Sequence, residues 1–214
     1  MPKVMFGQKI NFGGGNSELI RLKEKGDKFQ LRFVASGQYE GVHFIKQQDG
    51  SVRRSFCPRI MTGGQKDCEI CQLYFQAYNE AKEEQDKNIK EKLLKEAREN
   101  FGVTMKFYFP VLDRTAGAGA GKARVLQTCL SVRSKLELMV EAGINVTASE
   151  FVLTRTEQPG SDYYSLIRLD SAEVKKLTKK EEAEIEKAKE IDLEALLGHE
   201  ALESSLSLED GNEW

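Results

Sequence analysis

Histidine is almost missing from this 214-residue chain. Only His43 and His199 occur, and His199 lies in an acidic stretch where no nucleophile–base–acid triad can assemble around it. Long apolar runs are missing too: none approaches the roughly 20 residues of a membrane span. The start, Met-Pro-Lys-Val-Met-Phe-Gly-Gln-Lys, has no hydrophobic segment of the signal-peptide type. These absences point to a soluble cytoplasmic protein with no membrane partner. A phosphate loop is also lacking. Gly117-Ala118-Gly119-Ala120-Gly121-Lys122 is one residue short of G-x4-G-K, and Ala123 stands where a hydroxyl should hold magnesium. A zinc deaminase needs a glutamate two positions after its histidine, and Ile45 occupies that place. With no catalytic constellation, the chain is expected not to be an enzyme.

What is present is a metal-ligand set. His43, Cys57, Cys68 and Cys71 read H-x13-C-x10-C-x2-C. A tetrahedral structural site needs four soft or borderline donors, and this set supplies three sulfurs and one imidazole nitrogen, which fits one structural Zn2+. A thioredoxin-like redox reading of Cys68-Glu69-Ile70-Cys71 lacks the βαβ context it requires. With four protein ligands no coordination position is left for water. The fourth cysteine, Cys129, sits in an apolar run and reads as a core residue.

The net charge of −2 conceals an asymmetry. Residues 171–214 carry 13 acids and 6 bases, and no Lys or Arg follows Lys189, while residues 1–170 carry 26 bases and 21 acids. A basic body with an acidic tail suits a polyanion ligand, with the tail as competitor or docking peptide, and it equally suits a solvated, solubilising tail.

Along the chain, residues 1–27 read as a flexible arm with a short helical stretch from Ser17 to Lys25. Phe29, Leu31 and Phe33 alternate with polar residues in a strand over 28–34. Residues 39–46 and 51–56 form a hairpin that carries His43 on one arm and leads to Cys57 on the other. Residues 58–67 read as a loop. The Glu/Lys/Ala-rich stretch 72–99 is helical, either as one helix or as two broken near Asp86 to Asn88. Strands follow over 103–112 and 123–130, then a helix over 131–142 stopped by Gly143. A closing hairpin spans 150–156 and 163–169, and Thr178 with Glu181 fits the capping box of a charged helix running to about Leu197. No internal repeat is visible. The expected fold class is α+β, mainly β: about five or six short strands in a small, partly open barrel or a sheet, with a metal subdomain at about 43–100, a core over 28–170 and a charged tail over 171–214.

A single-strand binder needs cations along the phosphates and rings for the bases. Lys46, Arg53 and Arg54 flank the metal hairpin, and Tyr74 follows the knuckle with Phe75 and Tyr78. Lys106 and Tyr108 share a strand face, Arg124, Arg133 and Lys135 come next, and Arg155 and Tyr163-Tyr164 lie in the last hairpin. Each singly fits a solvated or core residue; together they make a candidate nucleic-acid surface.

These residues carry a resemblance. Leu31-Arg32-Phe33, His43 with Asp49-Gly50 and Cys57, Asp67-Cys68-Glu69-Ile70-Cys71-Gln72-Leu73-Tyr74, Gly121-Lys122, Phe151-Val152-Leu153 and Gly160-Ser161-Asp162-Tyr163 resemble the zinc-containing OB-fold single-stranded-DNA-binding family of T-even bacteriophages over about 28–170. The resemblance implies a five-stranded OB-fold barrel with an inserted zinc subdomain. It implies sequence-independent binding of single-stranded DNA in replication, recombination and repair, with His43, Cys57, Cys68 and Cys71 on Zn2+ and Tyr163 in an aromatic cleft. It also implies an acidic carboxyl-terminal segment that recruits replication and recombination proteins; here Glu209, Asp210, Glu213 and Trp214 would dock a partner. The family's basic amino-terminal motif for cooperative self-association on DNA is not recognisable, since residues 1–11 hold only Lys3 and Lys9. The helical stretch after the knuckle is longer than the family's. Two rival readings are a zinc-ribbon regulator of duplex DNA and a zinc-stabilised recombination mediator or interaction module.

Overall fold

The computed structural model describes residues 10–12, 15–17, 19–22, 24–46, 49–117, 120–156, 163–172, 174 and 176–193. In chain order the elements are β1 (Ile10–Phe12), β2 (Gly15–Ser17), β3 (Leu19–Ile20), β4 (Lys28–Phe33), β5 (Gln38–Lys46), β6 (Val52–Phe56), α1 (Pro58–Met61), α2 (Glu69–Glu83), α3 (Lys87–Phe101), β7 (Val103–Asp113), β8 (Lys122–Thr128), α4 (Leu130–Glu141), β9 (Phe151–Arg155), β10 (Tyr164–Arg168) and α5 (Lys179–Lys189). The fold is mixed α+β and mostly sheet. The chain divides into two compact units, 1–38 with 107–214, and 39–106.

In the first unit β4 is central, pairing antiparallel with β9 along 28–31 and with β7 along 31–33. Strand β7 pairs antiparallel with β8, and β9 with β10. The alternation in β4 works as its sequence indicates: Leu31 and Phe33 turn inward with Phe151 and Leu153 of β9, Val111 and Leu126. Phe33 meets Phe109 and Phe151 edge-on, each at 5.5 Å between ring centres. Strands β7 and β8 are covered on both faces, which is why adjacent pairs such as Val111–Leu112 and Val125–Leu126 are both buried. The second face is closed by α5 and the residues after it: Ile185, Ala188 and Ile191 pack with Val34 and Leu112, and Leu193 packs with Tyr108 and Val125.

An ionic cluster is buried in the same unit. Glu150, fully buried, accepts from Arg114 Nη1 and from Gln30 Nε2 at 3.0 Å, with Arg32 Nη2 at 3.6 Å. Arg114 also reaches Glu181 on α5 at 3.4 Å.

The second unit contains the β5–β6 hairpin, in register His43↔Ser55, then α1, α2 and α3. The stretch after the knuckle resolves as two helices: Asp86 breaks it and caps α3, its Oδ1 accepting from the amides of Asn88 at 2.8 Å and Ile89 at 3.1 Å.

Three expectations need correction. The stretch expected to be helical from Ser17 holds strand β3, paired parallel with Val125 and Leu126 of β8; Ile20 and Leu22 are buried in the core, so tertiary pairing wins over local propensity. The expected loop after Cys57 opens with a helical turn, α1, begun by Pro58 at its first position. The capping box at Thr178 and Glu181 is present, but α5 ends at Lys189 rather than Leu197, and Ile191 and Leu193 pack as described. No helix among the described residues is long and apolar enough to cross a membrane.

Candidate metal centre and cation–ring clusters

The four ligand residues come from three pieces of local structure. His43 stands on β5. Cys57 follows the returning strand β6 directly, and its amide donates to the Gly41 carbonyl at 2.9 Å. Gly41 has to be glycine for a steric reason: a Cβ there would lie 2.6 Å from the Ile60 side chain, so its absence lets α1 sit on β5 beside Cys57. Cys68 is the N-cap of α2, its sulfur uncommitted to capping, and Cys71 follows in the first turn. The helix amino terminus favours negative charge on both sulfurs.

The donor atoms converge. Cys57 Sγ and Cys71 Sγ are 3.4 Å apart, His43 Nε2 is 3.4 Å from Cys68 Sγ and 3.6 Å from Cys71 Sγ, and all four lie within 4.8 Å of one another. Donors at 2.0–2.3 Å from one tetrahedral ion would stand about 3.5–3.8 Å apart. The set therefore fits a single metal ion. His43 Nδ1 donates to the Phe101 carbonyl at 3.0 Å, which fixes the tautomer that turns Nε2 toward the sulfurs. Burial lowers the imidazole's pKa, against the opposing effect of its backbone bonds to Phe101 and Gly102, so the ring is held in the neutral form a metal requires. Burial pushes the Cys57 thiol up and the Cys71 thiol up to about 12, with the neighbouring sulfurs adding to the rise at Cys71. Two thiols so raised ionise together only against a cation. The Phe101 carbonyl had no signature in the sequence, because a backbone acceptor carries none.

The candidate DNA contacts fall into distinct environments. In the first unit Arg155 lies over the Tyr163 ring at 4.7 Å, Tyr163 meets Tyr164 edge-on at 4.9 Å, and Lys135 Nζ donates to the Tyr164 carbonyl at 2.5 Å. Arg133, on the same helix as Lys135, lies over Phe107 at 5.1 Å and pairs with Glu137 at 2.7 Å. Tyr164, the second ring of the Tyr163-Tyr164 pair named from the sequence, is half-buried and joins the cluster through its neighbour. Tyr108 is 5% exposed beneath Leu193, and its hydroxyl accepts from Gln127 at 2.8 Å. Arg124 pairs with buried Asp113 at 3.4 Å.

In the second unit Arg54 reaches both oxygens of buried Glu40 at 2.6 Å and lies over Phe56. Lys46 is 4.0 Å from Glu99, Lys106 lies over Phe44 at 4.9 Å, Arg53 is exposed, and Tyr74 stacks with Tyr78. The tail residues Glu209, Asp210, Glu213 and Trp214 lie outside the described residues. No protein-family model matches this chain, and no curated protein matches it.

Proposed function

We propose that this protein binds single-stranded DNA independently of sequence, through a five-stranded OB-type barrel that carries an inserted zinc unit. The observation that carries the reading is the cluster of Arg155, Tyr163, Tyr164 and Lys135 at the β9–β10 hairpin, which puts rings and cations side by side. Stacking on an exposed ring contributes about 1–3 kcal/mol per base whatever the base. Each neutralised phosphate adds a salt-dependent term of slope about −0.7. Three further features support the reading. The order β4, β7, β8, α4, β9, β10, with β4 paired to both β7 and β9, is compatible with a Greek-key OB barrel whose helix lies between the third and fourth strands. The donor set and spacing of His43, Cys57, Cys68 and Cys71 suit Zn2+, which would supply charge neutralisation and cross-linking and no reaction step. The motif resemblance to the phage single-strand-binding family runs through the same strands. On this reading the acidic tail, with Trp214 as its apolar anchor, recruits partner proteins in replication and recombination, with the acids steering the encounter.

The test is a titration of labelled oligo-dT and of a duplex of equal length at two salt concentrations. Oligo-dT should bind, more weakly as salt rises, and Tyr163→Ala with Arg155→Ala should weaken it while the metal content stays at one per chain. Equal affinity for duplex, or no oligo-dT binding at moderate salt, would remove the proposal.

A further inference from the structure

Helix α2 carries a second line of rings and cations, within the metal unit. Tyr74 and Tyr78, one turn apart, stack at 5.9 Å with their planes 27° apart. Phe75 meets Tyr74 edge-on at 5.7 Å. At one end the Arg59 guanidinium lies over the Phe75 ring at 5.0 Å, and at the other the Lys82 ammonium lies over the Tyr78 ring at 4.6 Å. The five side chains form an unbroken line.

Packing accounts for only part of it. Tyr74 and Tyr78 are half-buried on the same side of α2 as buried Cys71 and Ala81, and that side explains their position. It does not explain Phe75, which is 43% exposed. The cations are unusual as well. On α3, Lys87, Lys92 and Lys95 each stand 3.8–4.0 Å from the acid one turn on, so their charge is already answered. Arg59 and Lys82 have no carboxylate within ion-pair distance among the described residues; both rest on ring faces. A surface of exposed ring, guanidinium plane and unanswered positive charge matches a ligand that is both flat and polyanionic. An apolar protein partner would not need the cations, and an acidic one would not need the rings.

We infer that this line is a contact surface for single-stranded nucleic acid, with bases laid on Phe75 and the Arg59 guanidinium and phosphates neutralised at Arg59 and Lys82. The inference rests on the reading of the chain as a single-strand binder and adds a site outside the β9–β10 cluster.

The experiment uses full-length protein with its metal and an oligo-dT carrying 5-iododeoxyuridine. Photocrosslinks should fall within residues 74–78. Phe75→Ala should weaken oligo-dT binding about tenfold, the loss of one stacked base, and Phe75→Tyr should restore it. Arg59→Ala with Lys82→Ala should lower the salt slope by about 1.4, and Arg59→Lys with Lys82→Arg should leave it unchanged. Helicity and one metal per chain confirm that each variant folds; Arg59, Phe75 and Lys82 are all exposed. If these variants bind like the parent while Tyr163→Ala weakens binding, the α2 surface is not a nucleic-acid site and the inference falls alone. If the parent fails to bind oligo-dT, the wider proposal falls and takes this one with it.

Discussion

The two units are held together by different physics. The sheet unit buries Leu31, Phe33, Phe107, Val111, Leu112, Leu126, Phe151 and Leu153, large side chains whose transfer from water contributes about 1.5–3 kcal/mol each. Among the described residues of the metal unit, no Leu, Ile, Phe or Met side chain is buried. The buried side chains there are Glu40, Val42, His43, Cys57, Cys68, Cys71, Ala81 and Ala97. A segment that hides three thiols, an imidazole and two alanines gains little from water exclusion. Its order has to come from elsewhere, and convergent donors at 3.4–3.6 Å supply the place for it. One unit is built on an apolar core; in the other, two helices and a hairpin are arranged around a donor set that fits a single metal ion.

The sharpest way to break this contrast is to remove the cross-link. Structural zinc contributes on the order of 10 kcal/mol to a small domain, far more than the apolar contacts of the metal unit can replace. Chelation, or Cys71→Ser, should therefore melt 39–106 while the sheet unit keeps its amide protection. Zinc affinity should also fall as pH falls, since protons compete for thiols held up by burial and by one another. Hydrogen exchange followed by mass spectrometry, with and without chelator, reads both units at once. Uniform protection in 39–106 after verified metal loss would show that the helical hairpin is self-sufficient and the contrast false.

The sheet unit has its own breaking point, and it is polar. Glu150 is buried with Arg114 and Arg32, whose side chains are 7% and 14% exposed. Glu150→Gln keeps the shape and removes the buried charge that faces Arg32 and Arg114, while Arg114 keeps its contact with Glu181. Breaking a buried pair from one side costs about 3–5 kcal/mol. The thermal transition of the sheet unit should drop accordingly, with metal content unchanged. A variant as stable as the parent would mean that water or Glu181 takes over the two arginines.

The sequence made the metal site almost fully legible, because ligand chemistry restricts both residue type and spacing. The strands of the sheet were legible for a similar reason: Phe29, Leu31 and Phe33 alternate with period two, and Thr178 with Glu181 announces the start of a helix. The misread parts were settled by contacts distant in sequence. Leu19 and Ile20 carry no strand pattern of their own; they are strand because Val125 and Leu126 stand beside them. Tyr108 looked like a ring on an open face, and nothing local indicates that Leu193 covers it. Arg54 looked like a free cation for the same reason, since its partner Glu40 lies on the neighbouring strand. Charge and aromatic character are visible in a sequence, but their availability is decided by the rest of the fold.

The smallest effect concerns α5, the helix that leads to Leu193, which covers Tyr108. The Thr178 amide donates to Glu181 at 2.8 Å, and this bond, followed by the Thr178 hydroxyl and Arg114, holds the Glu181 carboxyl below its usual range. Glu184 is lowered first by Lys187 and then by the Ala123 amide, which donates to it at 3.0 Å. Both carboxyls are depressed in the folded state, so their stabilisation is complete above the ordinary value of 4.5 and drains away as pH falls through the lowered values. The cap contributes about 1 kcal/mol, too little to unfold the sheet but enough to loosen α5. As pH falls below 4.5, amide exchange in α5 and at Ala123 should accelerate before that of β9, and Tyr108 should become accessible to a tyrosine-specific reagent. Glu181→Gln should produce the same loosening at neutral pH. If α5 and β9 lose protection together, the helix is part of one cooperative unit and its carboxylates do not act as a separate fastening.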